Sequence, residues 1–182
     1  MHILALSGSL RRGSSNTTLL CALSALAPVG CDIVLYGGLG DIPAFNPDLD
    51  DTAPQSVQNF RERLREADGV LISSPEYAHG VSGAMKNALD WVVGSGELSR
   101  KPVALLNAAP WANFAQSQLL ETLRTMDADV VEKASVTVTL LPKTIDEAGI
   151  AAHPEIAPVL RAALEAFACA VAQQDARLRP SG

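Results

Sequence analysis

Short apolar runs alternate along this chain with stretches whose apolar residues recur every three or four positions. Residues 2–6, HILAL, form the first run and predict a buried strand. Small hydroxyl-bearing residues follow, and then Leu19, Leu20, Leu23 and Leu26 repeat at helical spacing. Residues 31–36, CDIVLY, predict a second strand. Val57, Phe60, Leu64 and Ala67 carry a second helix that starts at Thr52 or Pro54. The clearest strand is GVLISS, residues 69–74, whose unbroken apolar character suits a parallel sheet covered on both faces. Met85, Leu89 and Val92 share one face of a third helix, with Ala84, Ala88 and Trp91 beside them. PVALLNAAP predicts a fourth strand, and Leu119, Leu120, Leu123 and Met126 a helix after it. ASVTVTL predicts a fifth strand, rich in β-branched residues. A polar connection leads to a long alanine-rich helix opened by Pro154, with Ile156, Leu160, Ala163, Leu164, Phe167 and Val171 as its inward stripe.

Five strand–helix alternations with right-handed crossovers make an open, doubly wound α/β sheet. Ligands of such sheets bind at the carboxyl ends of the strands, beside the topological switch point. Three loops leave those ends: GSLRRGSSN, SPEYAHGVSG and NAAPWANF. A fourth stretch, GGLGDIPAFNPDLDDTAP, is a long Gly-, Pro- and Asp-rich loop that reads either as a surface connection or as part of a pocket rim or subunit contact.

The 182 residues suit one domain with a full core. No apolar run is expected to reach membrane-spanning length, and no basic segment leads into an apolar run and cleavage site at the N-terminus. A net charge of −6 argues against general nucleic-acid binding. Cys21, Cys31 and Cys169 are odd in number, widely spaced and without metal-site spacing, which suits reduced thiols and a cytoplasmic setting.

The turn after the first strand is the first candidate for chemistry. A helix N-terminus presents unpaired N–H groups and partial positive charge, which suit a phosphate. Ser9, Ser14, Ser15, Asn16 and Thr17 add hydroxyl and amide donors there, and Arg11 adds a planar cation. The alternative is a serine-rich loop that only caps a helix. Neither GxxxxGK[ST] nor GxGxxG is present, so the pocket would work through side-chain hydroxyls, as a flavin mononucleotide phosphate site does.

The second loop makes the resemblance specific. SSPEYAHGVSGAMKNALDWV resembles the signature of the NADPH-dependent FMN reductase family, flavodoxin-like proteins that include quinone, azo-dye and chromate reductases. That family's GSxRxxSxN motif is matched by Gly8, Ser9, Arg11, Ser14 and Asn16. Its PEYxxxxPGxLKNAxDW motif is matched by Pro75, Glu76, Tyr77, Gly83, Lys86, Asn87, Ala88, Asp90 and Trp91. Three departures stand out. Ser82 replaces the usual proline, a change expected to loosen the loop. Met85 replaces leucine. Ala108, Ala109, Pro110 and Trp111 stand where paired glycines are common.

The resemblance implies one flavodoxin-like FMN-binding domain over residues 1–182, a five-stranded parallel sheet with helices on both faces. It implies that Ser9, Arg11, Ser14 and Asn16 hold the FMN phosphate, with Ser15 and Thr17 donating backbone N–H groups. Pro75, Glu76, Tyr77 and Ala78 would border the isoalloxazine, and Gly80 of the same loop belongs to that cofactor-binding set. No protein side chain is assigned a catalytic role, since the chemistry belongs to the cofactor. His79 is read as a rim residue facing solvent, and Lys86, Asn87, Asp90 and Trp91 as structural. The implied activity is hydride transfer from NADPH or NADH to FMN and on to a quinone, free flavin, azo compound or metal oxyanion. The implied protein is a homodimer or homotetramer with no nucleic-acid or membrane partner, and the third helix and the Asp-rich loop are its candidate contacts. One rival is a flavodoxin-type electron carrier without NAD(P)H turnover, although such carriers usually lack the PEY…KNAxDW segment. Another is a flavin-binding regulatory or scaffold module.

Overall fold

The computed structural model describes residues 1–140 and 145–178, so the first residues of the polar connection lie outside it. The first strand, β1 (His2–Ser7), pairs in parallel with β2 (Asp32–Leu35) on one side and β3 (Gly69–Ser73) on the other. Beyond β3 lies the strand at Pro102–Asn107, then the edge. A short antiparallel hairpin, β4 (Glu76–Tyr77) and β5 (Gly80–Val81), rises after β3, so the Pro102–Asn107 strand is β6. The order β2-β1-β3-β6-edge reverses direction between β1 and β3, the flavodoxin arrangement expected.

The edge strand corrects the expectation of one continuous strand at ASVTVTL. It comes in two pieces, β7 (Asp129–Val130) and β8 (Val136–Thr137), both parallel to β6. A 3₁₀ turn at Glu132–Ala134 separates them. Ser135 fills the gap in the ladder: its Oγ accepts from the Leu105 N–H at 3.0 Å and donates to the Val131 carbonyl at 3.0 Å. β-branched composition favoured a strand there, but a side chain replaced part of its main-chain pairing.

Alternation along the central strands divides the core into two layers. Leu4, Leu6, Val70, Ile72, Val103 and Leu105 face α2 (Gln55–Glu66), α3 (Gly83–Val93) and α4 (Asn113–Thr125). Ile3, Ala5, Leu71, Ala104 and Leu106 face α1 (Ser15–Leu26), a short helix α5 (Glu147–Ala152) and the long α6 (Ile156–Leu178). Fully buried side chains such as Leu19, Phe60, Leu64 and Leu89 each contribute about 1.5–3 kcal/mol of hydrophobic stabilisation. α5 was not foreseen; Asp146 caps it by accepting from the Gly149 N–H at 2.8 Å.

Residues 156–174 of α6 correct the expectation about apolar runs, since they are long and apolar enough by composition to cross a membrane. Much of that apolarity is alanine, while Leu160, Leu164, Phe167 and Val171 pack against the sheet.

The signature residues of α3 fasten the long loop after β2. Asn87 accepts from the Phe45 N–H at 2.8 Å and donates to the carbonyls of Ile42 and Pro43. Trp91, fully buried, donates from Nε1 to Pro43 at 2.8 Å, and its ring meets Phe45 edge-on. Lys86 pairs with Asp90 at 2.5 Å along the helix. Arg61 of α2, almost buried, donates to Asp50 and to the Trp91 carbonyl, so its charge is paired and hydrogen-bonded.

Candidate active site

At the carboxyl ends of β1, β3 and β6 the three loops enclose a cavity of about 270 Å³. Ser9, Arg11, Ser14, Ser15 and Asn16 line it from the first loop, with Ser74, Pro75, Glu76 and Tyr77 from the second. Asn107, Ala108, Ala109, Trp111 and Ala112 complete it from the third, and Leu140 from the segment after β8. Two larger grooves share Arg63 and Glu66 of α2, and one of them runs along the amino ends of β1 and β2. Parallel sheets do not use that end for ligands.

The first wall is built by the start of α1. Ser14, buried, is its N-cap: the hydroxyl oxygen accepts from the Thr17 N–H at 3.5 Å. The N–H groups of Ser15 and Asn16 have no protein acceptor among the described residues, and neither does the Arg11 guanidinium. Asn16 spends its carbonyl oxygen on the Ser73 hydroxyl at 2.9 Å, which fixes α1 to β3 and leaves its amide NH₂ for the cavity. Thr17 stands outside the lining, its hydroxyl bonded to Ser7 at 2.7 Å. This donor set, with unpartnered helix N–H groups, two serine hydroxyls and a cation, fits a dianionic phosphate.

The seam between the first and second loops is tight. Gly8 donates its N–H to Ser73 at 2.8 Å and accepts from the Ser82 hydroxyl at 2.6 Å. A Cβ at Gly8 would collide with the Ser74 side chain and lie 2.8 Å from Ser82 Oγ. Ser82 is buried and also caps α3 by accepting from the Met85 N–H at 3.3 Å. The expected loosening at this departure is therefore not found, because the hydroxyl supplies two ties that proline could not.

The second wall is the hairpin. Its two-residue turn places Ala78 and His79 at φ of 50° and 58°, a left-handed pair usually given to Asn and Gly. Ala78 and Gly80 lie in this turn and strand, outside the cavity lining. The hairpin is held from α4. Glu76 accepts from the Ala115 N–H at 2.9 Å, and its other oxygen meets His79 Nδ1 at 3.2 Å. Gln118 accepts from the Val81 N–H at 3.2 Å, and the His79 ring packs against Phe114 with centroids 4.5 Å apart. The Ala115 N–H holds the Glu76 carboxyl below its ordinary range, with burial opposing and His79 reinforcing. Since Ala112 gives α4 no side-chain cap, Glu76 caps it from another element.

The third wall is the loop NAAPWANF, which leaves a strand end and departs from the family's paired glycines at Ala108, Ala109, Pro110 and Trp111. Asn107, buried, accepts from the Ala109 N–H at 3.0 Å and shapes the turn. Ser74 and Leu140, the last residues of two predicted strands, were not among the candidate site residues.

A match to the family model described as NADPH-dependent FMN reductase runs over residues 1–140. The chain belongs to that family. An NAD(P)H-dependent FMN reductase of Pseudomonas aeruginosa is 35% identical over 156 residues, covering 82% of this chain and 83% of that protein. A quinone reductase of Escherichia coli is 30% identical over 153 residues, covering 80% and 81%. Among solved structures, the flavoenzyme FerB, an NAD(P)H:(acceptor) oxidoreductase from Paracoccus denitrificans, superimposes with a TM-score of 0.84 at 27% identity, covering 95% of this chain and 98% of that one. The protein is accordingly a flavodoxin-like oxidoreductase that uses FMN, with NAD(P)H as co-substrate.

Proposed function

We propose that the 182 residues act as one domain whose cavity at the switch point holds FMN and reduces a quinone. The observation that carries this reading is the start of α1: unpartnered Ser15 and Asn16 N–H groups in one cavity wall with Ser9, Ser14 and Arg11. These five residues would hold the phosphate. Pro75, Glu76 and Tyr77 would border the ring system from one side and Ala108 and Ala109 from another. Thr17, Ala78 and Gly80 would support this set from behind it. When bound, FMN supplies two-electron chemistry, taking hydride from NADPH or NADH and delivering it to an acceptor. The chain would orient both partners, and no protein side chain is assigned a catalytic role. A quinone so reduced takes up two electrons and two protons, one as hydride and one from water.

Relatives reduce FMN and quinones, which supports small acceptors. The free cysteines suit a cytoplasmic setting. Exposed Leu49 and Val93, in the Asp-rich loop and on α3, support a homo-oligomer built through that face. Titrating the protein with FMN should shift the flavin spectrum and quench its emission at micromolar concentrations. Steady-state turnover should give parallel double-reciprocal lines, as one open site serving two substrates in turn requires. An unchanged flavin spectrum at saturation would remove the reading.

A further inference from the structure

The chain has only two Trp, two Tyr and four Phe. Five of these eight pack within the fold: Tyr36, Phe45, Phe60, Trp91 and Phe167. The other three stand together at one place and are all more than half exposed: Tyr77 at 56%, Trp111 at 61% and Phe114 at 58%. Phe114 packs on His79, whereas Tyr77 and Trp111 have no aromatic partner among the described residues. Both of those line the cavity, Tyr77 from the hairpin and Trp111 from the third loop. Their backbones are fixed. The Ala112 N–H donates to Ala109 at 2.9 Å, closing the turn that carries Trp111, and Glu76 ties the hairpin to α4.

Charge narrows what these rings can receive. Among the described residues of the lining two carry charge, Arg11 in the first wall and Glu76, whose carboxylate is committed to α4 and His79. The apolar part of the same lining is Pro75, Ala108, Ala109, Ala112 and Leu140. Among the described residues no cation stands at that end of the cavity to receive a metal oxyanion. A flat, uncharged ring would find two aromatic side chains and an apolar floor.

Resting on the FMN reading above, we propose that Trp111 and Tyr77 form a stacking subsite that selects neutral, fused-ring quinones over metal oxyanions as electron acceptors. Trp111 is the specificity-determining residue.

The test uses the FMN-loaded protein with saturating NADPH and three acceptors: 2-methyl-1,4-naphthoquinone, chromate and ferricyanide. Trp111→Ala should lower kcat/KM for the naphthoquinone about 2- to 12-fold, the range aromatic pairing contributes. Trp111→Phe should recover most of it. With each variant saturated in FMN, the ratio of naphthoquinone to ferricyanide turnover should fall by that factor in Trp111→Ala and stay within about twofold of wild type in Trp111→Phe. A second arm needs neither FMN nor turnover. The naphthoquinone alone should quench tryptophan emission saturably in the wild-type chain, more weakly in Tyr77→Ala, and not saturably in Trp111→Phe. Equal losses on all acceptors, unchanged naphthoquinone kinetics, or a wild type that prefers chromate would overturn the proposal. So would a changed oligomeric mass in Trp111→Ala by light scattering, which would make the ring a subunit contact. If FMN fails to bind but quenching saturates, the proposed function falls and the subsite stands; the reverse pattern removes the subsite alone.

Discussion

At the start of α1, two residues whose N–H groups have no protein acceptor line the cavity; at the start of α4, the N–H of Ala115 is taken by the Glu76 carboxylate. Both helices begin at the same cavity, and both carry the partial positive charge of a helix N-terminus. α1 is capped by its own Ser14, which satisfies Thr17 and leaves earlier N–H groups open. α4 has no cap of its own and borrows an anion from the hairpin. The difference teaches where an outside anion can go. One terminus is left open, and the other is already neutralised by the Glu76 carboxylate, so on the proposed reading the phosphate would bind at the start of α1 and not at the start of α4.

Substitution at Arg11 should break the contrast most strongly. Arg11→Ala should weaken FMN binding about 10- to 150-fold, the 1.5–3 kcal/mol of a charge-assisted hydrogen bond. Riboflavin, which lacks the phosphate, should bind nearly unchanged, and Arg11→Lys should recover part of the loss. Equal weakening of both flavins would show that Arg11 supports the loop rather than the anion.

Gly8→Ala comes next. Its methyl group must displace Ser74 or Ser82, at a cost of about 1–3 kcal/mol read as a lower urea midpoint. Adding Ser74→Ala should restore part of it. No restoration would place the strain elsewhere.

Ser14→Ala should cost about 1 kcal/mol, or roughly 2–4 °C in Tm. It should weaken FMN as well, since the cap and the phosphate wall share this residue. Loss of stability with unchanged FMN affinity would separate the two roles.

The smallest effect sharpens the α4 side. Glu76 has its carboxyl held below the ordinary range, so its stabilisation is present above about pH 4.3 and is lost as pH falls through the folded value. Glu76→Gln keeps an acceptor without the charge. The wild type should therefore be the more stable at pH 7, and the gap should close on acidification. A gap independent of pH would mean that shape, not charge, holds the hairpin to α4.

Much of this contrast was legible in the sequence on one side only. Ser14 followed by a leucine repeat announces a capped helix, and the hydroxyls around it are what motivate the proposed anion site, because both patterns are local. Glu76 meets Ala115 across 39 residues, and no periodicity reports such a pairing. The hairpin was equally hidden. Its strands are two residues each, and Ala78 and His79 are poor markers of a left-handed turn. Asn107 and Ala108 were recoverable from topology, as the ends of a central strand. The split edge was not, since β-branched residues report propensity and Ser135 acts through a hydroxyl.

That split has a consequence for how the protein behaves when crowded. A sheet edge is a template on which another chain can add itself. Here the outer edge presents two paired residues, then a turn, then two more. An incoming strand could not run in register across the interruption. The opposite edge, β2, is only four residues long. Among the described residues neither border offers the long flat ladder on which fibrils grow, so aggregation during concentration or refolding should begin from exposed apolar side chains rather than from strand addition.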